Sequence, residues 1–139
     1  MRRDEGALSL FVAVCALTLL ALSGLVLDGG GRLLAIERAD AVAQEAARAG
    51  GQQIDRGRLL AGQGYVLDHG AATSAVHTYL DLVGNTQDVT TEVTDTTVSV
   101  HLTSTYHTLL LGLIGIGTLD VQGSGSAQVV HGVTAPRGN

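Results

Sequence analysis

The chain has 139 residues, of which 45% are hydrophobic, 15% charged and only 3% aromatic, with no Trp and a formal net charge of −5. Such apolarity excludes a disordered chain, and the acidic balance argues against electrostatic nucleic-acid binding. The single Cys excludes an intrachain disulfide framework and a Cys-cluster zinc site, and the scarcity of large side chains means the excess apolarity sits in one special place.

That place is residues 7–27, which carry no charge until Asp28. At 1.5 Å per residue the run makes about 31 Å of helix, close to one hydrocarbon core. A lone span must be helical, because only a helix satisfies its own backbone in lipid. Ala21, Leu22 and Ser23 have the spacing of a signal-cleavage site, and a removed signal is the rival reading. Against it, the run continues to Leu27, and Asp4 and Glu5 cancel Arg2 and Arg3. An uncleaved signal-anchor is therefore expected, in a single-pass protein of the cell membrane. Arg2 and Arg3 before the span balance Arg32 and Arg38 after it, so charge does not set orientation. The exported character of the remainder does: residues 1–6 are expected in the cytoplasm and the C-terminal domain outside.

Gly29, Gly30 and Gly31 follow at the exit. Glycine costs about 1 kcal/mol per residue in a helix relative to Ala, so the triplet either breaks the helix or makes a soft hinge. Residues 28–50 form this hinge and an amphipathic helix. Ala35, Ile36, Ala39, Val42, Ala43, Ala46 and Ala49 share one face, with charged and amide side chains opposite. Small residues permit close approach of another element. Two readings of the face Ala35, Ala39, Val42, Ala43, Ala46 and Ala49 follow: it packs on the chain's own sheet, or it meets helices of other subunits. Gly50 and Gly51 are expected to cap the helix.

Residues 51–131 read as an extracytoplasmic helix plus antiparallel sheet. Asp55 is placed to cap a short helical turn ended by Gly62, and residues 65–67 suit a short strand. A further helix is expected from His69 to Val83, with Asp68 as N-cap, Gly84 as stop, and Ala72, Val76, Tyr79, Leu80 and Val83 as its buried stripe. The Thr-rich stretch that follows predicts two strands, over residues 89–93 and 98–106, joined at Thr94, Asp95 and Thr96. Residues 119–130 predict a third strand, weakened by Gly123 and Gly125. One polar face per strand predicts a three-stranded antiparallel sheet with a helix on one side. The fold class is thus α+β and membrane-anchored.

Between the last two strands lies an apolar loop containing Leu109, Leu110, Leu111, Leu113, Ile114 and Ile116. It is too short to span a bilayer and too Gly-rich for a stable helix. It is either tucked under the sheet edge or exposed to lipid or a neighbouring subunit. Residues 132–139 are expected to form a mobile tail. His69, His77, His101, His107 and His131 are scattered; His101 and His107 share a strand face but sit about 20 Å apart on a regular strand. No catalytic, metal-binding or cofactor-binding residues are assigned, no enzyme activity is expected, and neither nucleic acid nor a small-molecule substrate is expected as partner.

Several blocks lie in order along nearly the whole chain. They are Asp4-Glu5-Gly6; Gly24-Leu25-Val26-Leu27-Asp28-Gly29-Gly30; Gln44-Glu45-Ala46-Ala47-Arg48-Ala49-Gly50 with Gln52-Gln53-Ile54-Asp55; Tyr79-Leu80; Leu110-Leu111-Gly112-Leu113-Ile114-Gly115-Ile116; and the strand from Val121 to Val130. In this the chain resembles the TadE/TadG-like pilus assembly proteins of actinobacteria, minor pilin-like components of the tight-adherence (Flp, type IVc) system. The resemblance implies a pilin-like build, with one long N-terminal helix, half in the membrane, leading to a small sheet. It implies membrane lipid and other Tad or pilin-like subunits as partners, with the Ala face and the apolar loop as contacts. It also implies a leader cut after Gly6, with Phe11 where pilins carry Glu five residues into the mature chain. A second reading, from the Thr-rich sheet alone, is a membrane-tethered extracellular module that binds a ligand or cell-wall polymer.

Overall fold

A computed structural model describes residues 4–84 and 86–129. The order of elements is α1 (Asp4–Gly51), α2 (Arg56–Leu60), α3 (His69–Val83), β1 (Thr86–Val93), β2 (Thr97–His107), a 3-10 turn (Leu111–Ile114) and β3 (Thr118–Gln128). The strands form one antiparallel sheet in the order β1-β2-β3. The fold is α+β with a long apolar N-terminal helix, as the patterning predicts. The C-terminal tail and His131 lie outside the described residues.

α1 is unbroken. Gly29, Gly30 and Gly31 lie inside it, so the triplet does not break the helix. Gly50 and Gly51 also lie inside rather than beyond its end. Within α1, Gly6–Gly51 is long and apolar enough to cross a membrane by length and composition.

The chain packs as two compact units. One comprises the residues up to Leu34 together with Tyr106–Leu119. Here the front of α1 is largely bare: Leu8, Leu10, Phe11, Leu17, Leu19 and Leu20 are each more than 60% exposed. Thr18 and Ser23 return their hydroxyls to the carbonyls of Val14 and Leu19, both at 2.8 Å, so these polar side chains are satisfied within the helix.

The other unit comprises Ala35–Thr105 and the residues from Asp120 on. Its core joins three surfaces. The back of α1 contributes Ala39, Ala43, Ala46 and Ala47; α3 contributes Ala72, Val76 and Leu80; the inner face of the sheet contributes Val98, Val100, Leu102 and Val121. Tyr79 is half-buried and Val83 is 45% exposed, so the α3 stripe is narrower than its periodicity predicts. With such small side chains the helix can reach the sheet only if the strand has none. That is the role of Gly123 and Gly125: a Cβ on either would overlap the α1 backbone at Ala39 and Ala43 respectively. Gly50 serves the same purpose, since a Cβ there would stand 2.9 Å from Val76 Cγ2 and 3.2 Å from Val98 Cγ1.

Local chemistry sets the remaining elements. Asp55 caps α2 by accepting from Arg58 N–H at 3.0 Å, and Asp68 caps α3 by accepting from Ala71 N–H at 2.9 Å. Residues 65–67 form no strand of their own; Leu67 makes a single bridge with Ile54. β1 pairs with β2 from Thr86↔Ser104 to Val93↔Val98, with a bulge between Gln87 and Thr90 where Asp88 takes a left-handed φ of 47°. The hairpin turns on Thr94, whose hydroxyl accepts from Thr97 N–H at 3.0 Å while its own N–H donates to the Thr97 carbonyl at 2.8 Å.

Candidate functional site

The feature the sequence reading passed over is Asp28, which it treats only as the end of the apolar run. Asp28 is 2% exposed. Its two carboxylate oxygens accept three consecutive backbone amides, from Leu109 (2.6 Å), Leu110 (3.0 Å) and Leu111 (2.7 Å). The Tyr106 hydroxyl donates a fourth hydrogen bond. These amides open the Leu111–Ile114 turn, whose own N-cap residue, Leu110, offers no side-chain cap. A carboxylate on α1 therefore does for this turn what an N-cap side chain does for an ordinary helix.

The neighbours of Asp28 on α1 make the approach possible. Gly24 and Gly31, one turn before and about one turn after it, lie on the same face. A Cβ at Gly24 would stand 3.3 Å from Leu110 Cβ, and one at Gly31 would collide with the Tyr106 hydroxyl. Gly29 and Gly30 face open space. Of the triplet, only Gly31 is needed for packing.

Burial raises the Asp28 carboxyl pKa, but the amides of Leu109, Leu111 and Leu110 and the Tyr106 hydroxyl outweigh it, so the group lies below the ordinary carboxylate value. The carboxylate is held ionised. Two oxygens offer about four acceptor positions, and four donors already occupy them. Asp28 thus acts as a structural clamp on this loop.

The loop so held is exposed rather than tucked away. Leu113 is 82%, Ile114 74%, Leu109 69% and Ile116 44% exposed, while Leu110 and Leu111 are half-buried. Of the two readings of this loop, the exposed one describes the structure. The Ala face of α1 resolves the other way. Ala39, Ala43 and Ala46 are buried and Ala35, Val42 and Ala49 half-buried, and the partner of this face is the chain's own β3. Asp40 and Gln44 fasten it: Asp40 accepts from Ser124 N–H at 2.9 Å, and Gln44 exchanges hydrogen bonds with both the N–H and the carbonyl of Ser126. Gly6 lies in the first turns of α1, with nothing near its Cβ position.

The described histidines gather at no common site. His101 lines an open groove on the outer face of the sheet with Asp88, Thr103, Gln122 and Ser124. His69 lies 3.2 Å from Asp95, and His107 is exposed at the end of β2. Among the described residues no three His, Cys, Asp or Glu side chains are grouped to hold a metal ion. No protein-family model, curated protein or solved structure matches the chain.

Proposed function

We propose that this is a single-pass, non-enzymatic protein of the cell envelope, a pilin-like minor component or assembly factor of a tight-adherence pilus. Residues 7–27 anchor it by partition into lipid, residues 1–6 stay in the cytoplasm, and the sheet-bearing unit lies outside. The observation that carries the reading is the continuity of α1. One helix is bare and apolar at the front and carries its own sheet on a small-residue face at the back. This is the build that the resemblance to TadE/TadG-like proteins implies.

The anchor and the pilus role have separate tests. Alkaline carbonate washing of native membranes, followed by mass measurement of the retained chain, is expected to leave a polypeptide that is intact or cut after Gly6. Release into the wash, or a terminus near Ser23, would refute the anchor. Deleting the chain from its native cells is expected to abolish or thin the surface filaments. Filaments of wild-type number would refute the pilus role and leave the anchor standing.

A further inference from the structure

We infer that the loop of residues 108–117 is a second membrane element, an apolar foot that enters the boundary between headgroups and acyl chains beside the exit of α1. The inference rests on the reading of residues 7–27 as a membrane span.

Depth is the first argument. Leu110 packs against Gly24, which lies inside the uncharged run and four residues before Asp28. Four residues of helix rise about 6 Å, so whatever touches α1 at Gly24 lies below the level of Asp28, among the first acyl carbons. The loop carries no charged side chain, and its most exposed residues, Leu113 and Ile114, are apolar.

The second argument is independent and concerns the backbone. Irregular chain is tolerated among acyl chains only where its polar groups find partners within the protein or line a water-filled cavity. Most of this loop's backbone N–H groups meet that demand. Leu109, Leu110 and Leu111 donate to Asp28. Leu113, Gly115 and Ile116 donate back to carbonyls of the loop itself, at 3.0–3.2 Å. Thr108 closes the base, its N–H donating to the Gly117 carbonyl and its hydroxyl to the Ile116 carbonyl. A loop facing water would have no need of a distant carboxylate to satisfy its amides. The side chains point outward as grease while the backbone is tied inward, which is the arrangement a lipid surface takes and an aqueous one penalises.

The foot would fix how deep and at what rotation α1 sits, since it attaches to one face of the helix only. Its occupant is phospholipid rather than a soluble protein, because a soluble partner reaching Gly24 would itself have to enter the membrane.

The absence of Trp allows a direct test. Full-length chain carrying Leu113→Trp, Leu17→Trp or Leu60→Trp is reconstituted into phosphatidylcholine–phosphatidylglycerol vesicles with bromine at shallow or deep acyl positions. Leu113 and Leu60 are 82% and 89% exposed, so neither substitution disturbs packing. Leu113→Trp is expected to emit at shortened wavelength, to lose intensity to shallow bromines most, and to resist aqueous iodide. Leu17→Trp is expected to respond to deep bromines, and Leu60→Trp to iodide alone. Water-like emission from Leu113→Trp beside a bromine-quenched Leu17→Trp would overturn the foot and leave the span intact. Water-like emission from both would overturn the two together. A shift at Leu113→Trp that grows with protein density and ignores bromine would assign the loop to contact between chains and equally refute the inference.

Discussion

Replacing Gly123 with Ala tests the packing of α1 on the sheet most sharply, because intrinsic propensity and tertiary structure predict opposite signs. In a strand, Ala is a modest improvement on Gly through backbone entropy. Here the added Cβ would stand 2.8 Å from the Ala39 Cβ and overlap the Ala39 backbone. Carbons in contact sit about 3.5–4.0 Å apart, so α1 must lift by about 1 Å along this line. No rotamer can relieve the clash, since the obstacle is main chain. Overpacking typically costs about 1–3 kcal/mol, and a clash with main chain belongs at the top of that range. At roughly 4 °C per kcal/mol, the melting temperature should fall by about 10 °C. Thermal unfolding followed by circular dichroism, on full-length chain in micelles, reads this directly. Gly30→Ala is the matched control: its Cβ meets nothing, and the helix should gain about 1 kcal/mol. A Gly123→Ala protein melting at or above the wild-type temperature would refute the close approach of α1 and β3.

Gly31→Ala should behave unlike its neighbour Gly30→Ala, because its Cβ displaces the Tyr106 hydroxyl from Asp28; faster hydrogen exchange at the Leu109, Leu110 and Leu111 amides, absent in Gly30→Ala, is the expected result. Asp28→Asn retains one acceptor oxygen and loses the charge, and exchange at the same three amides should rise at least tenfold, whereas unchanged protection would mean the turn holds itself. The folded carboxyl of Asp28 lies below its unfolded value, so the clamp is fully present above the ordinary carboxylate pKa of about 3.9 and is lost as pH falls through the depressed folded value; amide shifts of Leu109 and Leu111 that stay flat from pH 7 down to 4 and move only below that would bear this out, and movement near pH 6 would contradict it. Asp68→Ala removes the N-cap of α3 and should cost about 1 kcal/mol in a denaturant titration, more than any loss from Asp81→Ala on the exposed surface of the same helix.

Much of this protein is written locally. The uncharged run of residues 7–27, the caps Asp55 and Asp68, the stop at Gly84 and the turn at Thr94 follow from partition and from hydrogen bonds that reach no more than four residues along the chain. The alternation of β2 likewise announces its buried face of Val98, Val100 and Leu102. Tertiary structure decided what each surface is for. Glycine's local cost argues for a break at residues 29–31 and a weak strand at Gly123 and Gly125, yet α1 passes through the first set and closes on the second. The deciding quantity is the distance between main chains, which no single segment contains. The Ala face fits either a neighbouring subunit or this chain's own sheet until β3 is seen to cover it. Asp28 reads as the mere end of a greasy run because the amides it holds lie more than 80 residues away; a carboxylate's partners are set by where the chain returns, and that return is a property of the fold.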